Sequence, residues 1–220
     1  MSGFSTARQK MVDGQVRTSD VTDSRILDAM LSLPREAFVP AAQQPLAYLD
    51  LDLDVGGGSG KSYLLKAALT AKLLQAAELK SSDNVLVVGA ASGYLAAIAA
   101  RIAAKVTATE GDSAMASRAA AALAGLGFAN VTVRNAACAD GEPAFAPYDV
   151  IVLNGATEIA PERLFGQLAD GGRLVGVFAT VKPSRAMVVT HTHGDFGHRT
   201  LFDAAAPVLP GMERRAEFVF

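Results

Sequence analysis

Apolar residues at three- and four-residue spacing dominate the first third of the chain and give way to short β-branched runs. The helical spacing predicts helices over Ala7–Val16 and Ser24–Leu33. Several prolines and then the Asp- and Gly-rich segment Leu46–Gly60 predict irregular chain that crosses the surface. A third amphipathic pattern predicts a helix over Tyr63–Leu79.

From residue 85 onward, short apolar runs alternate with helical patterns. The runs predict strands over Val85–Val88, Val106–Thr109, Val131–Arg134, Val150–Leu153 and Leu174–Phe178. The intervening patterns predict helices over Tyr94–Ala103, Ser113–Leu126 and Pro161–Leu168. Strands that alternate with crossover helices are typical of a parallel sheet, so an α/β fold is expected.

The last part of the chain follows a different pattern. A Gly-Asp-Phe-Gly turn separates the apolar runs Ala186–His193 and Arg199–Phe202, which predicts an antiparallel hairpin, and Glu217–Phe220 is expected to form a closing strand. No repeat or linker interrupts the pattern. We therefore expect one domain over residues 1–220, with N-terminal helices and a loop at 1–62, a ligand-binding core at 63–180 and antiparallel strands at 181–220.

Composition narrows the class of protein. Half of the 220 residues are hydrophobic, and the formal net charge is -2, so the chain is expected to fold and no basic excess favours a nucleic-acid partner. Its apolar stretches are too short or too interrupted for a membrane span of about 20 residues. The single Cys138 excludes an intrachain disulfide, and the start MSGFSTARQK lacks the features of a secretory signal. A cytoplasmic location is therefore expected, while the sequence leaves the oligomeric state open.

The candidate chemistry begins at the first strand–helix junction of the core. Gly89 and Gly93 lie between a buried strand and a helix, whose N-terminus offers unpaired N–H groups to a ligand. Glu110 ends the next strand, where a carboxylate can accept hydrogen bonds from ribose hydroxyls. This combination favours nucleotide or nucleoside binding. The alternative is that the glycines only form a tight turn and Glu110 only caps the following helix.

The segment VLVVGAASGYLAAIAARIAAKVTATEGD resembles the first motif of class I S-adenosylmethionine-dependent methyltransferases. The opening stretch MVDGQVRTSDVTDSRILDAMLSLPREAFVP, and then LGFANVTVRN, APYDVIVLNGA and LADGGRLVGVF, resemble the protein-L-isoaspartate O-methyltransferase family in order. The resemblance implies a Rossmann-like methyltransferase fold with a seven-stranded, mostly parallel sheet, antiparallel C-terminal strands and an N-terminal helical extension.

The same resemblance implies an activity and a site. The family transfers a methyl group from S-adenosylmethionine to the side-chain carboxylate of isoaspartyl residues in damaged proteins, which are the implied partners. Gly89, Gly93 and Glu110 are the implied cofactor contacts. The acceptor would be held by the loop Gly56–Ser62, in which Ser62 is the implied catalytic residue. No metal is implied.

Several positions depart from the family pattern. Ser59–Leu64 stands where the family has a Gln-Thr-Ile-Ser-type stretch. Val87 stands where the family has an acidic residue, and Ala136–Cys138 stands where it often has a second acidic residue. Ala91 stands where the cofactor loop favours glycine, and its methyl group is expected to crowd the methionine end of the cofactor. Two alternatives follow: a catalytically silent binding or regulatory protein that keeps the fold, and a methyltransferase with a different acceptor.

Other candidate residues have two interpretations each. Gly57–Ser62 resembles a phosphate-binding loop but lacks its first glycine, so phosphate binding is not expected. The residues His191, His193, Asp195 and His198 could bind a metal or could form solvated faces of a hairpin. Cys138 could be a redox thiol or a small buried residue. Asn154 could contact a ligand or occupy a turn, and the tail after Pro207 could cover the site or lie away from it.

Overall fold

The computed structural model describes residues 3–56 and 62–214. Six α-helices lie within these residues: α1 (Gly3–Met11), α2 (Ser24–Ser32), α3 (Ala67–Ala76), α4 (Tyr94–Ala100), α5 (Ser113–Gly125) and α6 (Glu162–Phe165). The strands of the described residues are β1 (Leu53–Asp54), β2 (Tyr63–Leu64), β3 (Asn84–Val88), β4 (Lys105–Glu110), β5 (Val131–Asn135), β6 (Tyr148–Thr157), β7 (Leu168–Phe178), β8 (Arg185–Thr192) and β9 (Asp195–Asp203). None of the helices in the described ranges is long and apolar enough to cross a bilayer.

Seven of the strands form one sheet with the order β5-β4-β3-β6-β7-β8-β9. The pairs from β5 to β7 are parallel, whereas β8 pairs antiparallel with both β7 and β9. The predicted fold class is thereby confirmed. The chain runs outward from β3 to β5 and then crosses back to β6, so the strand order reverses between β3 and β6. Open α/β sheets bind ligands at the carboxyl ends of the strands at such a point.

The core lies on both faces of this sheet. Val85 and Val87 of β3 face a cluster that includes residues of α2, α3 and α4, whereas Leu86 and Val88 face a second cluster that includes residues of α6 and the C-terminal segment. All four side chains have 0% exposure. Burial on both faces explains why the central strands are continuous apolar runs rather than alternating ones.

The structure corrects several predicted boundaries. The helix expected over Tyr63–Leu79 begins only at Ala67, because Tyr63 and Leu64 pair antiparallel with β1. The helix predicted over Ala7–Val16 is α-helical only as far as Met11. The chain then forms a π-helical turn and a 3-10 turn.

Later boundaries shift as well. Helix α6 is shorter than Pro161–Leu168, because Leu168 already belongs to β7, and α4 ends at Ala100. The strand predicted to end at Leu153 runs on to Thr157. The expected closing strand Glu217–Phe220 lies outside the described residues.

After β9 the chain returns across the carboxyl ends of the parallel strands. We call Pro207–Arg214 the C-terminal strap. Its backbone adds to the end of β6: the Ala156 N–H donates to the Pro207 carbonyl at 2.8 Å, and the Leu209 N–H donates to the Ala156 carbonyl at 2.9 Å. Two residues further, the Glu158 N–H donates to the Met212 carbonyl at 2.9 Å. The strap is therefore hydrogen-bonded to the sheet beside the topological switch point.

Candidate functional site

The loop between β3 and α4 lies at the reversal of the strand order. Three of its residues have left-handed backbone conformation: Gly89 with φ 72°, Ala91 with φ 47° and Gly93 with φ 94°. Glycine adopts this region without steric cost, and alanine does not. A Cβ atom on Gly93 would also lie 3.1 Å from Leu123 Cδ1 of α5. Both glycines are therefore required by the loop conformation, and Ala91 is strained.

Glu110 fixes the loop from the end of β4. Its Oε2 accepts a hydrogen bond from the Ala91 N–H at 2.7 Å, and its Oε1 accepts one from the Asp112 N–H at 3.2 Å. The residue is only 4% exposed. Each carboxylate oxygen has a second lone pair, so Glu110 could still accept hydrogen bonds from the vicinal hydroxyls of a ribose.

Asn154 joins the loop to the neighbouring strand. Its Nδ2 donates to the Gly89 carbonyl at 2.8 Å and lies 3.4 Å from the Tyr63 carbonyl of β2. Asn154 lies inside β6 and not in a turn, so the turn interpretation is wrong. Its side chain instead holds Gly89 in register with β6 and β2, and direct contact of this side chain with a ligand stays a prediction.

Three of the four predicted site residues meet at one cavity. Ser62, Gly89 and Glu110 line a narrow space with a free volume of about 10 Å³, whereas Gly93 does not line it. Ser62 is 6% exposed, and its carbonyl accepts a hydrogen bond from the Val55 N–H at 2.8 Å. Residues 57–61 of the predicted acceptor loop and of the rejected phosphate-binding motif lie outside the described residues.

The strap narrows this cavity. Pro207, Val208, Leu209 and Pro210 form part of its wall. Leu209 covers Gly89 so closely that a Cβ atom on this glycine would overlap its Cδ2, and a Cβ on Gly155 would lie 2.9 Å from Leu209 Cγ. The cavity's free volume of about 10 Å³ is far below the roughly 300 to 1,000 Å³ that ligand pockets commonly enclose, so the space as it stands is too small for a nucleoside-sized ligand. A carboxylate placed like that of Glu110 is of the type that binds ribose hydroxyls, but the space in front of Gly89 is occupied by the side chain of Leu209.

A larger cavity of about 450 Å³ lies elsewhere, between α1 and Tyr48. The residues that line this larger cavity are mainly apolar, and they include neither the loop from Gly89 to Gly93 nor Glu110. Ligand chemistry in open α/β sheets is found where the carboxyl ends of the strands meet. The smaller cavity beside Glu110 is therefore the candidate site.

Cys138 also lines this cavity. Its Sγ lies 3.7 Å from the position that a Cβ on Gly89 would occupy, and the residue is 2% exposed. Burial, with the nearby Glu110 charge as the second cause, raises the pKa of the thiol to about 12. A thiol that stays protonated is a poor nucleophile, which agrees with the interpretation of Cys138 as a small buried residue.

The three histidines have separate partners. His191 Nδ1 lies 3.0 Å from the Ala169 carbonyl, His193 Nδ1 lies 3.3 Å from Asp170 Oδ2, and the His198 ring meets Phe165 edge-on. Within residues 3–56 and 62–214, no three His, Cys, Asp or Glu side chains are arranged to hold a metal ion. The hairpin histidines therefore form no metal site in the described part of the chain.

Arg35 supports the site from the N-terminal extension, a role that the sequence analysis missed. It is 0% exposed; its Nε donates to the Ala47 carbonyl and its Nη2 to the Leu65 carbonyl, both at 2.7 Å. The guanidinium also lies 4.7 Å from the ring centroid of Tyr94, the first residue of α4. Burial lowers the pKa of Arg35, the neighbouring tyrosines and Asp52 opposing this effect. Its cation joins the extension to the helix that follows the glycine loop.

Comparison with known proteins gives consistent matches over most of the chain. The family model described as protein-L-isoaspartate(D-aspartate) O-methyltransferase matches residues 6–196. A protein-L-isoaspartate O-methyltransferase 1 from Rhodopseudomonas palustris (strain HaA2) is 41% identical over 195 residues, which cover 88% of this chain and 78% of that protein. A protein-L-isoaspartate O-methyltransferase from Roseiflexus sp. (strain RS-1) is 41% identical over 172 residues, covering 78% and 77%.

Two solved structures share the fold. A protein-L-isoaspartate O-methyltransferase superposes with a TM-score of 0.82 at 24% identity, over 93% of this chain and 66% of that chain. A Plasmodium falciparum protein of the same description, in complex with S-adenosyl-L-homocysteine, superposes with a TM-score of 0.78 at 17% identity. That match covers 95% of this chain and 99% of the other.

Proposed function

We propose, from the premise that this chain belongs to the protein-L-isoaspartate(D-aspartate) O-methyltransferase family, that it methylates L-isoaspartyl residues of damaged proteins with S-adenosylmethionine. The observation that carries the proposal is the meeting of Ser62, Gly89 and Glu110 around one cavity at the topological switch point. The three residues come from separate parts of the chain. Their convergence supports a site in which the cofactor and the acceptor lie side by side.

Each site residue has a distinct proposed role. Glu110 accepts hydrogen bonds from the ribose hydroxyls of the cofactor, and Gly89 lets the backbone approach the cofactor closely. Gly93 sets the loop conformation at the start of α4 and acts on the cofactor through that conformation. Ser62 positions the acceptor carboxylate through its hydroxyl. Asn154 is a positioning residue, because it holds the carbonyl of Gly89.

The reaction requires little acid–base chemistry. When bound, S-adenosylmethionine supplies an electrophilic methyl group on a sulfonium sulfur. An isoaspartyl carboxylate is ionised at neutral pH, so it would take the methyl group through one of its oxygens without losing a proton, held in place by Ser62, and the bonding electrons would stay on the sulfur of the cofactor. The products are a methyl ester and a neutral thioether. The chain's task is therefore to align the two groups and exclude water.

Transfer of a radiolabelled methyl group tests this function. We expect label in an isoaspartyl peptide and none in the matched aspartyl peptide. Replacing Ser62→Ala should lower turnover about ten- to hundredfold, since a positioning hydrogen bond to a charged group contributes about 1.5 to 3 kcal/mol. Ser117→Ala is the control, because that exposed hydroxyl bonds only within α5, to the Ser113 carbonyl. An unchanged rate in Ser62→Ala would contradict the proposed role of Ser62.

A catalytically silent protein is the second candidate, and the side chain of Leu209 in front of Gly89 is the observation that favours it. A ligand that binds only the folded state raises its stability. If millimolar S-adenosyl-L-homocysteine leaves the melting temperature and the calorimetric heat unchanged, the silent candidate replaces the methyltransferase. Binding without transfer to the isoaspartyl peptide would instead favour a different acceptor.

The cellular setting is part of the same proposal. Cys138 is the single cysteine of the sequence and is buried, so the fold needs no oxidising compartment. This supports a cytoplasmic location, with isoaspartyl-containing proteins as partners.

A further inference from the structure

The C-terminal strap is attached to the sheet at two places. Near its start, Ala156 is bonded through its N–H to Pro207 and through its carbonyl to Leu209. Near its end, Glu158 accepts a hydrogen bond from the Arg214 N–H at 2.8 Å, and the Arg214 guanidinium donates to the Thr180 carbonyl at 2.8 Å. Leu209 belongs to the first attachment and the second follows five residues later at Arg214, so the backbone fixes the position of Leu209.

The side chain of Leu209 fills the floor of the candidate site. It is 5% exposed, and it lies against both Gly89 and Gly155, two positions at which the lack of a side chain admits it. The Met212 N–H donates to the Leu209 carbonyl at 3.0 Å, which closes a turn and keeps the side chain directed inward. A ligand that approached Gly89 from this side would need the space that Leu209 occupies.

We infer that the strap is an intramolecular competitor of the cofactor, and that Leu209 must leave the front of Gly89 before S-adenosylmethionine binds. This inference rests on the proposed function. The polar partners of the strap, Ala156, Glu158 and Thr180, do not line the cavity, whereas Leu209 lines it and lies against Gly89. The apolar side chain of Leu209 therefore decides the competition. The affinity measured for a site that is open only part of the time is reduced by the open fraction. The strap thereby sets how tightly the protein holds its cofactor.

Calorimetric titration with S-adenosyl-L-homocysteine tests the competition. Leu209→Ala should bind the ligand at least tenfold more tightly than the unaltered protein. Leu168→Ala is the matched control, because Leu168 is also 5% exposed in the same core cluster but does not line the cavity. Its dissociation constant should stay within threefold of the unaltered value, although both variants lose stability.

The outcomes separate this inference from the proposed function. If the unaltered protein binds the ligand clearly and Leu209→Ala binds it equally well or more weakly, the strap does not compete with the cofactor. The proposed methyltransferase function would be unaffected by that result. No binding by either folded protein would overturn both.

Hydrogen exchange measures the movement itself. Saturating S-adenosyl-L-homocysteine should speed exchange at the amides of Leu209 and Glu158 several-fold, because both donate across the contact between strap and β6. Amides of β8 serve as the internal reference. Slower or unchanged exchange at Leu209 and Glu158 would show that the ligand binds beneath a closed strap and would overturn the inference.

A second variant loosens the strap without touching the cavity. Glu158→Gln should weaken the contact with Arg214 and tighten ligand binding about two- to fivefold, whereas Glu162→Gln, at an exposed glutamate of α6, should not. Equal affinities for the two variants would contradict the inference that the contact between Glu158 and Arg214 holds the strap over the site.

Discussion

The backbone conformation of Ala91 changes the effect on stability that is expected of its side chain. The sequence suggests that its methyl group crowds the cofactor, and that glycine at this position would cost about 0.5 to 1 kcal/mol through chain entropy. The structure gives Ala91 a φ of 47°, a region that costs an L-residue roughly 1 to 2 kcal/mol. Relief of this strain exceeds the entropy cost, so the expected sign of the stability change is reversed.

Ala91→Gly should therefore stabilise the ligand-free protein by up to about 1 kcal/mol and raise its melting temperature by a few degrees. The Ala91 N–H should keep its bond to Glu110, because the backbone is unchanged. Ala97→Gly, in the buried interior of α4, is the control and should lose about 1 kcal/mol or more. A lower melting temperature for Ala91→Gly would show that the loop is not strained at this residue.

Among the elements, the junction of the N-terminal extension with α4 depends on one buried cation. Arg35 supplies the bonds to the carbonyls of Ala47 and Leu65 and covers the ring of Tyr94. An apolar replacement leaves both buried carbonyls without their donor, which costs more than the lost bonds alone. The extension thus contributes to the fold of the cofactor loop as well as to its own helices.

Arg35→Met should destabilise the protein by about 3 kcal/mol, as measured by urea unfolding. Arg17→Met removes a cation that is 50% exposed in its ion pair with Asp13, and it should change stability by less than about 1 kcal/mol. Similar losses for the two variants would contradict a structural role for the buried guanidinium.

For the whole molecule, buried thiol and phenol groups predict that the stability of the fold decreases at alkaline pH. Burial raises the pKa of Cys138 from 9.0, and those of Tyr48 and Tyr148 from 10.0, each to about 12. A group whose pKa is higher in the folded state binds its proton more tightly there, so its contribution to stability is present below the unfolded pKa. It is lost as pH rises through the folded value near 12.

The melting temperature should therefore fall steadily from about pH 9 toward pH 12. Cys138→Ala should show a smaller decline than the unaltered protein, because it has one fewer buried acid to ionise. Chemical denaturation at pH 8, 9.5 and 10.5 would check the slope independently of heat. A Cys138→Ala curve parallel to that of the unaltered protein would exclude the thiol as a contributor.

The sequence determined the sheet strands and the residues at their ends. Buried strands need apolar residues at every position, and a left-handed turn needs glycine, so Val85–Val88, Gly89, Gly93 and Glu110 carry local signals. Their roles toward a ligand, and the division of the domain at residues 62 and 180, stay predictions.

Only the tertiary structure decided what faces these residues. Asn154 bonds to Gly89 across 65 positions of sequence, β1 pairs with β2 across residues 55–62, and Leu209 reaches Gly89 from beyond the last strand of the large sheet. No periodicity marks these contacts, since Leu209 lies in a short segment between two prolines. The shape of the site therefore depends on how distant segments pack against each other. Because the residues that contribute to this packing lie far apart in the sequence, no local pattern predicts it.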